Sequence, residues 1–284
     1  MGSKVGSRSR TLRAQWLGKL LRDLRESANL ALKDAGDHLM RDASTISRLE
    51  LGLSPVRLPE VRELMNLYGV DDSVLRAGLE QLTRDIWVKG WWDDYEGNVQ
   101  LHIIDLAWLE ARAGKIRNFS SHVIDGLIQT PEYAEAVMRT IDPDVSDKQI
   151  ARWLEFRMKR QDVVDEGDYT AILDEAVFHR PFGGSRVMRD ELAHLLDISE
   201  RPNITIRVLP YSASTLAGPE GAFTLLTMPP PFPVVAQVTI EAGTIYVEMP
   251  KTVRFEATYG RFERYALDPE DSRVFLKNRM EQLA

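Results

Sequence analysis

Ala43, Ser44, Ser47 and Arg48 fall close together in the segment LKDAGDHLMRDASTISRLELG, residues 32–52. Ile46 and Leu49 lie three apart and mark the inward face of a short helix, which leaves those four side chains pointing outward. A guanidinium in that place can offer two parallel N–H groups to O6 and N7 of guanine, so Arg48 is the strongest candidate for reading a base. Ser44 and Ser47 are small donors that allow close approach to base edges, with Ala43 beside them. Lys33, Thr45 and Arg57 are candidates for contacts to phosphate, which position a protein on duplex DNA without reading its sequence.

These residues need two helices joined by a tight turn, with the second entering the major groove by its N-terminal, outward face. The apolar pattern provides them. Short bursts at helical spacing run over Trp16–Leu24, Leu32–Leu39 and Ile46–Leu49, with Asp42 as an N-cap whose carboxylate can accept from first-turn N–H groups. Gly52 ends the third helix. Ser54-Pro55 and Leu58-Pro59 mark extended connections before a fourth helix over Glu60–Tyr68, and a fifth starts near Asp72 and runs through Leu82.

Charge is distributed to match. The 284 residues carry a net charge of −7, yet residues 1–57 hold 11 Lys and Arg against 6 Asp and Glu. That is a head of +5 on a body of −12, and the head is still +2 without residues 1–10. Local positive charge is what phosphate neutralisation requires. No apolar run reaches the ~20 residues of a membrane helix. The polar, basic start MGSKVGSRSR has no secretory pattern and the chain has no cysteine, so a cytoplasmic location is expected, nucleoid-associated when on DNA.

Beyond the head, Trp87, Trp91, Trp92, Tyr95 and Trp108 crowd residues 83–108. Such aromatics either pack between head and body or, with Phe223, line a ligand pocket. Thr130-Pro131 opens a short helix, Ser146–Val164 reads as a long one, and Val187–Leu196 and Lys251–Tyr265 as two more, with Asp268-Pro269 capping the last. Strands are expected over 169–173, 204–209, 223–228, 234–240 and 245–249, the last two as a hairpin. The fold class is therefore multi-domain: an all-α helix-turn-helix head of five short helices, then an α+β domain with a small, mostly antiparallel sheet. Expected boundaries are a basic disordered tail (1–13), the DNA-binding domain (14–82), an aromatic-rich connecting segment (83–108) and a C-terminal regulatory or partner-binding domain (109–284).

The stretch Trp16–Val70, with Ser44, Ile46, Ser47, Arg48, Leu49, Glu50 and Gly52 in an SxISRLExG-like core, resembles the helix-turn-helix of Xre-type bacterial regulators. KGWWDDY, LEARAGKIRNF, GLIQTPEYA, LDEAVFHRPFGG, RPNITIRVLP and YALDPEDS make the remainder similar to the domain of unknown function that follows this head in actinobacterial, antitoxin-like regulators. The resemblance implies a scaffold ion pair between Arg25 and Glu50. It also implies a small companion protein encoded nearby that binds the body while the head acts on the shared promoter. This chain departs from the pattern at Met40, where the family usually has Gly, and at Ala43, where a Gln often stands.

Catalysis is not expected. His38, His102, His122, His179 and His194 form no HExxH pair, and GxSxG and Gly-rich phosphate loops are missing. Glu175 and His179 are four apart and can share a helix face, without further support for a metal or catalytic role. The expected partners are double-stranded DNA, a second copy of the chain on a palindromic operator, and either the companion protein or a small-molecule effector of unknown identity. No cofactor, metal or membrane is called for.

Overall fold

The computed structural model describes residues 11–213, 221–240 and 243–283. They form two compact units, one running through Glu96 with Gln100–Trp108 and Pro230–Phe232, the other comprising Gly97–Val99, Leu109–Pro229 and the chain from Pro233 onward.

Five helices open the first unit: α1 (Leu12–Ser27), α2 (Leu32–Leu39), α3 (Ala43–Glu50), α4 (Leu58–Leu67) and α5 (Ser73–Trp87). Trp16, Leu17, Leu21, Ile46, Leu64 and Leu79, each 4% exposed or less, make their common core. Gly18 of α1 is a close-approach position, since a Cβ there would stand 2.5 Å from the carbonyl oxygen of Leu49. Two expectations change. Leu58-Pro59 is the first turn of α4, not an extended connection, because a proline in the first turn has no N–H that the helix needs. Residues 1–10 of the expected tail lie outside the described residues, whereas Thr11 caps α1 and Arg13 is buried within it.

Residues 83–96 and 100–108 fold into the first unit rather than bridging to the second. After α5 come a 3₁₀ turn at Trp91–Tyr95 and α6 (Leu101–Arg112), whose last residues belong to the second unit. Polar anchors explain this placement. The buried Arg13 donates to the carbonyl of Asp85 (3.1 Å) and pairs with Asp93 (2.8 Å), and the Trp108 indole reaches the Asp85 carboxylate at 3.3 Å. Asp105 accepts from the Leu12 N–H (3.1 Å), and burial pushes its carboxyl up to about 6.

The second unit is α+β around a six-stranded sheet of order β3-β2-β1-β4-β5-β6, built from β1 (Lys115–Ser120), β2 (Asp168–Asp174), β3 (Ile204–Leu209), β4 (Phe223–Thr227), β5 (Val235–Ile240) and β6 (Gly243–Val247). It is mixed and larger than expected. β1, β2 and β3 pair in parallel, and β4, β5 and β6 extend the sheet antiparallel from β1. Parallel pairing follows from crossovers through α7 (Pro131–Ile141), α8 (Asp147–Arg160) and α9 (Val163–Glu166) between β1 and β2, and through α10 (Ser185–Ile198) between β2 and β3. The helix expected over Ser146–Val164 is interrupted between α8 and α9. Against the sheet lie α11 (Thr252–Tyr265) and α12 (Pro269–Glu281), with Phe119, Ile172, Phe223, Leu225, Tyr259 and Phe262 in one buried cluster.

Candidate nucleic-acid interface

The turn between α2 and α3 is Met40-Arg41-Asp42. Met40 adopts the left-handed conformation (φ 53°, ψ 45°), and the N–H groups of Met40 and Arg41 bond back to the carbonyls of Asp37 (3.2 Å) and Gly36 (2.8 Å). This is the closure that glycine normally provides at a helix C-terminus. Met40 is also 92% exposed, so its side chain gains little from burial to offset the backbone strain. Met40→Gly is accordingly expected to stabilise the first unit by ~1 kcal/mol in urea unfolding. A loss of stability would show that the methionine makes a compensating contact.

Asp42 occupies the N-cap of α3 in extended conformation, but its carboxylate makes no capping bond, contrary to the sequence expectation. Its carbonyl accepts from Thr45 (2.9 Å) and Ile46 (3.3 Å). The helix ends at Gly52 (φ 67°), where a Cβ would come within 2.8 Å of the Cα of Gln15. Ile46 and Leu49 are buried, Ser44 and Arg48 are exposed, and Ala43 and Ser47 are half-buried. Among the described residues no ion pair engages Lys33, Arg48 or Arg57. Each of these cations is exposed.

A cleft of ≈ 330 Å³ adjoins α3 and brings Thr45 and Arg57 together with Arg41, Glu60 and Trp87. Lys33 stands apart from it, exposed in the first turn of α2. Glu60 organises the cleft, since one carboxylate oxygen accepts from the Arg57 backbone N–H (3.0 Å) and the other from the Arg41 guanidinium (2.9 Å). Arg41 was not among the sequence candidates; its position in the turn, between two helices of known spacing, was the available signal.

Behind the helix, Arg25 and Glu50 meet through two bonds, Nε to Oε1 at 2.6 Å and Nη2 to Oε2 at 2.9 Å, while Nη1 donates to the carbonyl of Leu30 at 2.7 Å. Each residue is 7% exposed. The pair therefore locks α3 to α1 and to the end of the α1–α2 connection. Burial, reinforced by the Glu50 charge, holds the nearby Tyr68 hydroxyl well above its ordinary range.

Trp91 and Trp92 belong to one unit and Phe223 to the other. Trp91 and Trp92 are half-buried in the first unit, their rings 5.7 Å apart and edge-on. Phe223 belongs to the second unit and is 4% exposed among Phe119, Phe255, Tyr259 and Phe262, so it is core.

A family model described as a domain of unknown function, DUF5753, matches residues 103–278, more than half of the chain. The chain belongs to this family. A second model, described as a helix-turn-helix domain, matches residues 16–78 and makes the head of this DUF5753 protein a DNA-binding module. No curated protein and no solved structure matches the chain. Among the described residues, no helix is long and apolar enough to cross a membrane.

Within the DUF5753 region several motifs read from the sequence converge on one polar cluster. Arg157 donates to the Gln129 side chain (2.8 Å), Gln161 to the carbonyls of Gly126 (2.9 Å) and Gln129 (2.8 Å), and the Tyr169 hydroxyl to Asp125 (2.6 Å). Arg160 faces Glu110 at 3.0 Å without hydrogen-bond alignment, both nearly inaccessible. Burial pushes the Glu110 carboxyl up to about 7 in spite of that arginine. Burial, then the neighbouring Arg160 charge, lowers the Arg157 guanidinium to about 10. Each hydrogen bond ties α8 or β2 to the loop between β1 and α7, so the cluster holds the first crossover in place.

Proposed function

We propose that this protein is a sequence-specific transcriptional regulator of the Xre type, working in the cytoplasm as a homodimer on a palindromic operator. The DUF5753 region then serves regulation rather than catalysis, in an antitoxin-like arrangement with a small companion protein. The observation that carries the reading is Arg48: exposed and without an ion pair on the outward face of α3, while Ile46 and Leu49 hold the opposite face in the core. Two heads reading half-sites one DNA turn apart, ~34 Å, follow from the dimer.

A mobility-shift assay on the protein's own promoter region, with unrelated DNA as competitor, tests this directly. Binding is expected to survive the competitor and to weaken with salt. Arg48→Ala should relax preference at one base position by ~1 to 3 kcal/mol, measured on a panel of operator variants. Lys33→Ala should instead weaken all sequences about equally and reduce the salt slope by about one. An Arg48→Ala protein with unchanged affinity and preference would remove the direct-readout role. Specific binding that appears only when the neighbouring small protein is added would place the companion in the DNA-bound complex.

A further inference from the structure

Glu175 and His179 lie outside the helix-turn-helix head, in the second unit, where the sheet gives them a setting. Because β1, β2 and β3 are parallel neighbours, Ser121, Glu175 and Tyr211 all lie just beyond the carboxyl ends of adjacent strands. Ligands of α/β sheets sit outside the carboxyl ends of the strands.

Side chains from all three strand ends are linked there. Oε1 of Glu175 lies 3.5 Å from Nε2 of His179, and its Oε2 accepts from the backbone N–H of Tyr211 at 2.8 Å. The imidazole stacks on the Tyr211 ring with centroids 5.6 Å apart and planes 26° from parallel. Arg180, next in the chain, donates to the carbonyl of Ser121 at 3.3 Å, and Ser121 Oγ is 2.7 Å from Nδ1 of His122. His122, His179, Arg180 and Tyr211 are all exposed. The Glu175 carboxylate is spent on holding His179 and the β3 end in place.

We infer that this edge binds the phosphate of a small phosphorylated molecule. The guanidinium of Arg180 retains N–H groups in the fork geometry that grips an oxyanion. With Nδ1 of His122 on the Ser121 hydroxyl, its Nε2, which meets no partner among the described residues, can carry the N–H and supply a further donor. The stacked His179 and Tyr211 rings form a flat surface suited to a planar group carried by the same molecule. The inference goes beyond the regulator reading and gives the second unit an effector site.

Isothermal titration of the full chain tests it, with inorganic phosphate and AMP as probes and adenosine as the uncharged control. Phosphate and AMP are expected to bind, AMP more tightly, and adenosine not at all. Arg180→Ala should weaken binding of both phosphate probes about tenfold, the loss of one charge-assisted contact, and His179→Ala should weaken AMP about tenfold by removing half of the stacked surface, both with unchanged circular dichroism. Arg180→Lys should fall between, since an ammonium lacks the fork, and it carries the test if the alanine variant does not fold. Absence of heat with both phosphate probes, or binding that these substitutions leave intact, overturns the site. Binding displaced by duplex DNA and indifferent to the substitutions would assign the phosphate to the head. Operator binding is measured separately, so the failure of either reading leaves the other standing.

Discussion

Glu50→Ala is expected to destabilise the helix-turn-helix head by about 3–5 kcal/mol, because it leaves a buried guanidinium with only the Leu30 carbonyl and a long 3.4 Å contact to the half-exposed Glu26. Specific DNA binding should fall with it, since α3 loses its tie to α1. Urea unfolding followed by tryptophan fluorescence reports on this unit, where five of the six tryptophans lie. The double variant Arg25→Met/Glu50→Leu is expected to recover much of the loss, because apolar replacement of a whole buried pair removes the desolvation penalty of both charges. A single Glu50→Ala change of under ~1 kcal/mol would mean that Arg25 finds another partner, and the pair would no longer explain the orientation of α3.

The second large effect is a dependence on pH set by Glu191. This residue of α10 is 0% exposed; one oxygen accepts from the Thr130 N–H at 2.7 Å and the other has no partner. Burial pushes its carboxyl up to about 8, outweighing the Thr130 bonds that favour ionisation. The folded chain therefore keeps this carboxyl neutral where the unfolded chain has ionised it. The associated stability is fully present below the ordinary carboxylate range and is lost as pH rises from there to about 8. At ~1.4 kcal/mol per pH unit, the loss is of the order of 4 kcal/mol by pH 8. Glu191→Gln is neutral in both states. Hydrogen exchange of α10 amides between pH 5 and 8 should show a falling opening free energy in the parent chain and a flatter one in the variant. Equal slopes would mean that Glu191 is ionised in the fold. Glu110, raised to about 7, adds a trend of the same sign that ends about a pH unit earlier and that the variant leaves in place.

Local patterning carried the head almost entirely. Period-3.6 bursts, the start near Asp72 and the stop at Gly52 are properties of residues close in sequence, and they located all five helices to within a few positions, although the Asp42 carboxylate makes no capping bond. They also separated the outward Ser44 and Arg48 from the inward Ile46 and Leu49. The central strand was not legible in that way. β1 reads KIRNFS, with charged and amide side chains that argue against a sheet interior, until cross-strand partners appear: Asn118 donates to Thr224 (3.0 Å), and Arg117 lies over the Tyr259 ring at 5.5 Å. Residues 83–108 looked like a connector because Arg13 lies 72 residues before Asp85 and 80 before Asp93; their burial together is a tertiary event. Thus the sequence by itself determined which segments coil and which face of α3 is turned outward, since both depend on neighbours three or four residues away. Only the tertiary structure decided the parallel pairing of β1–β3, the cleft joining Thr45 to Arg57, and the convergence of Ser121, Glu175 and Tyr211, because contacts across tens of residues leave no period in the chain.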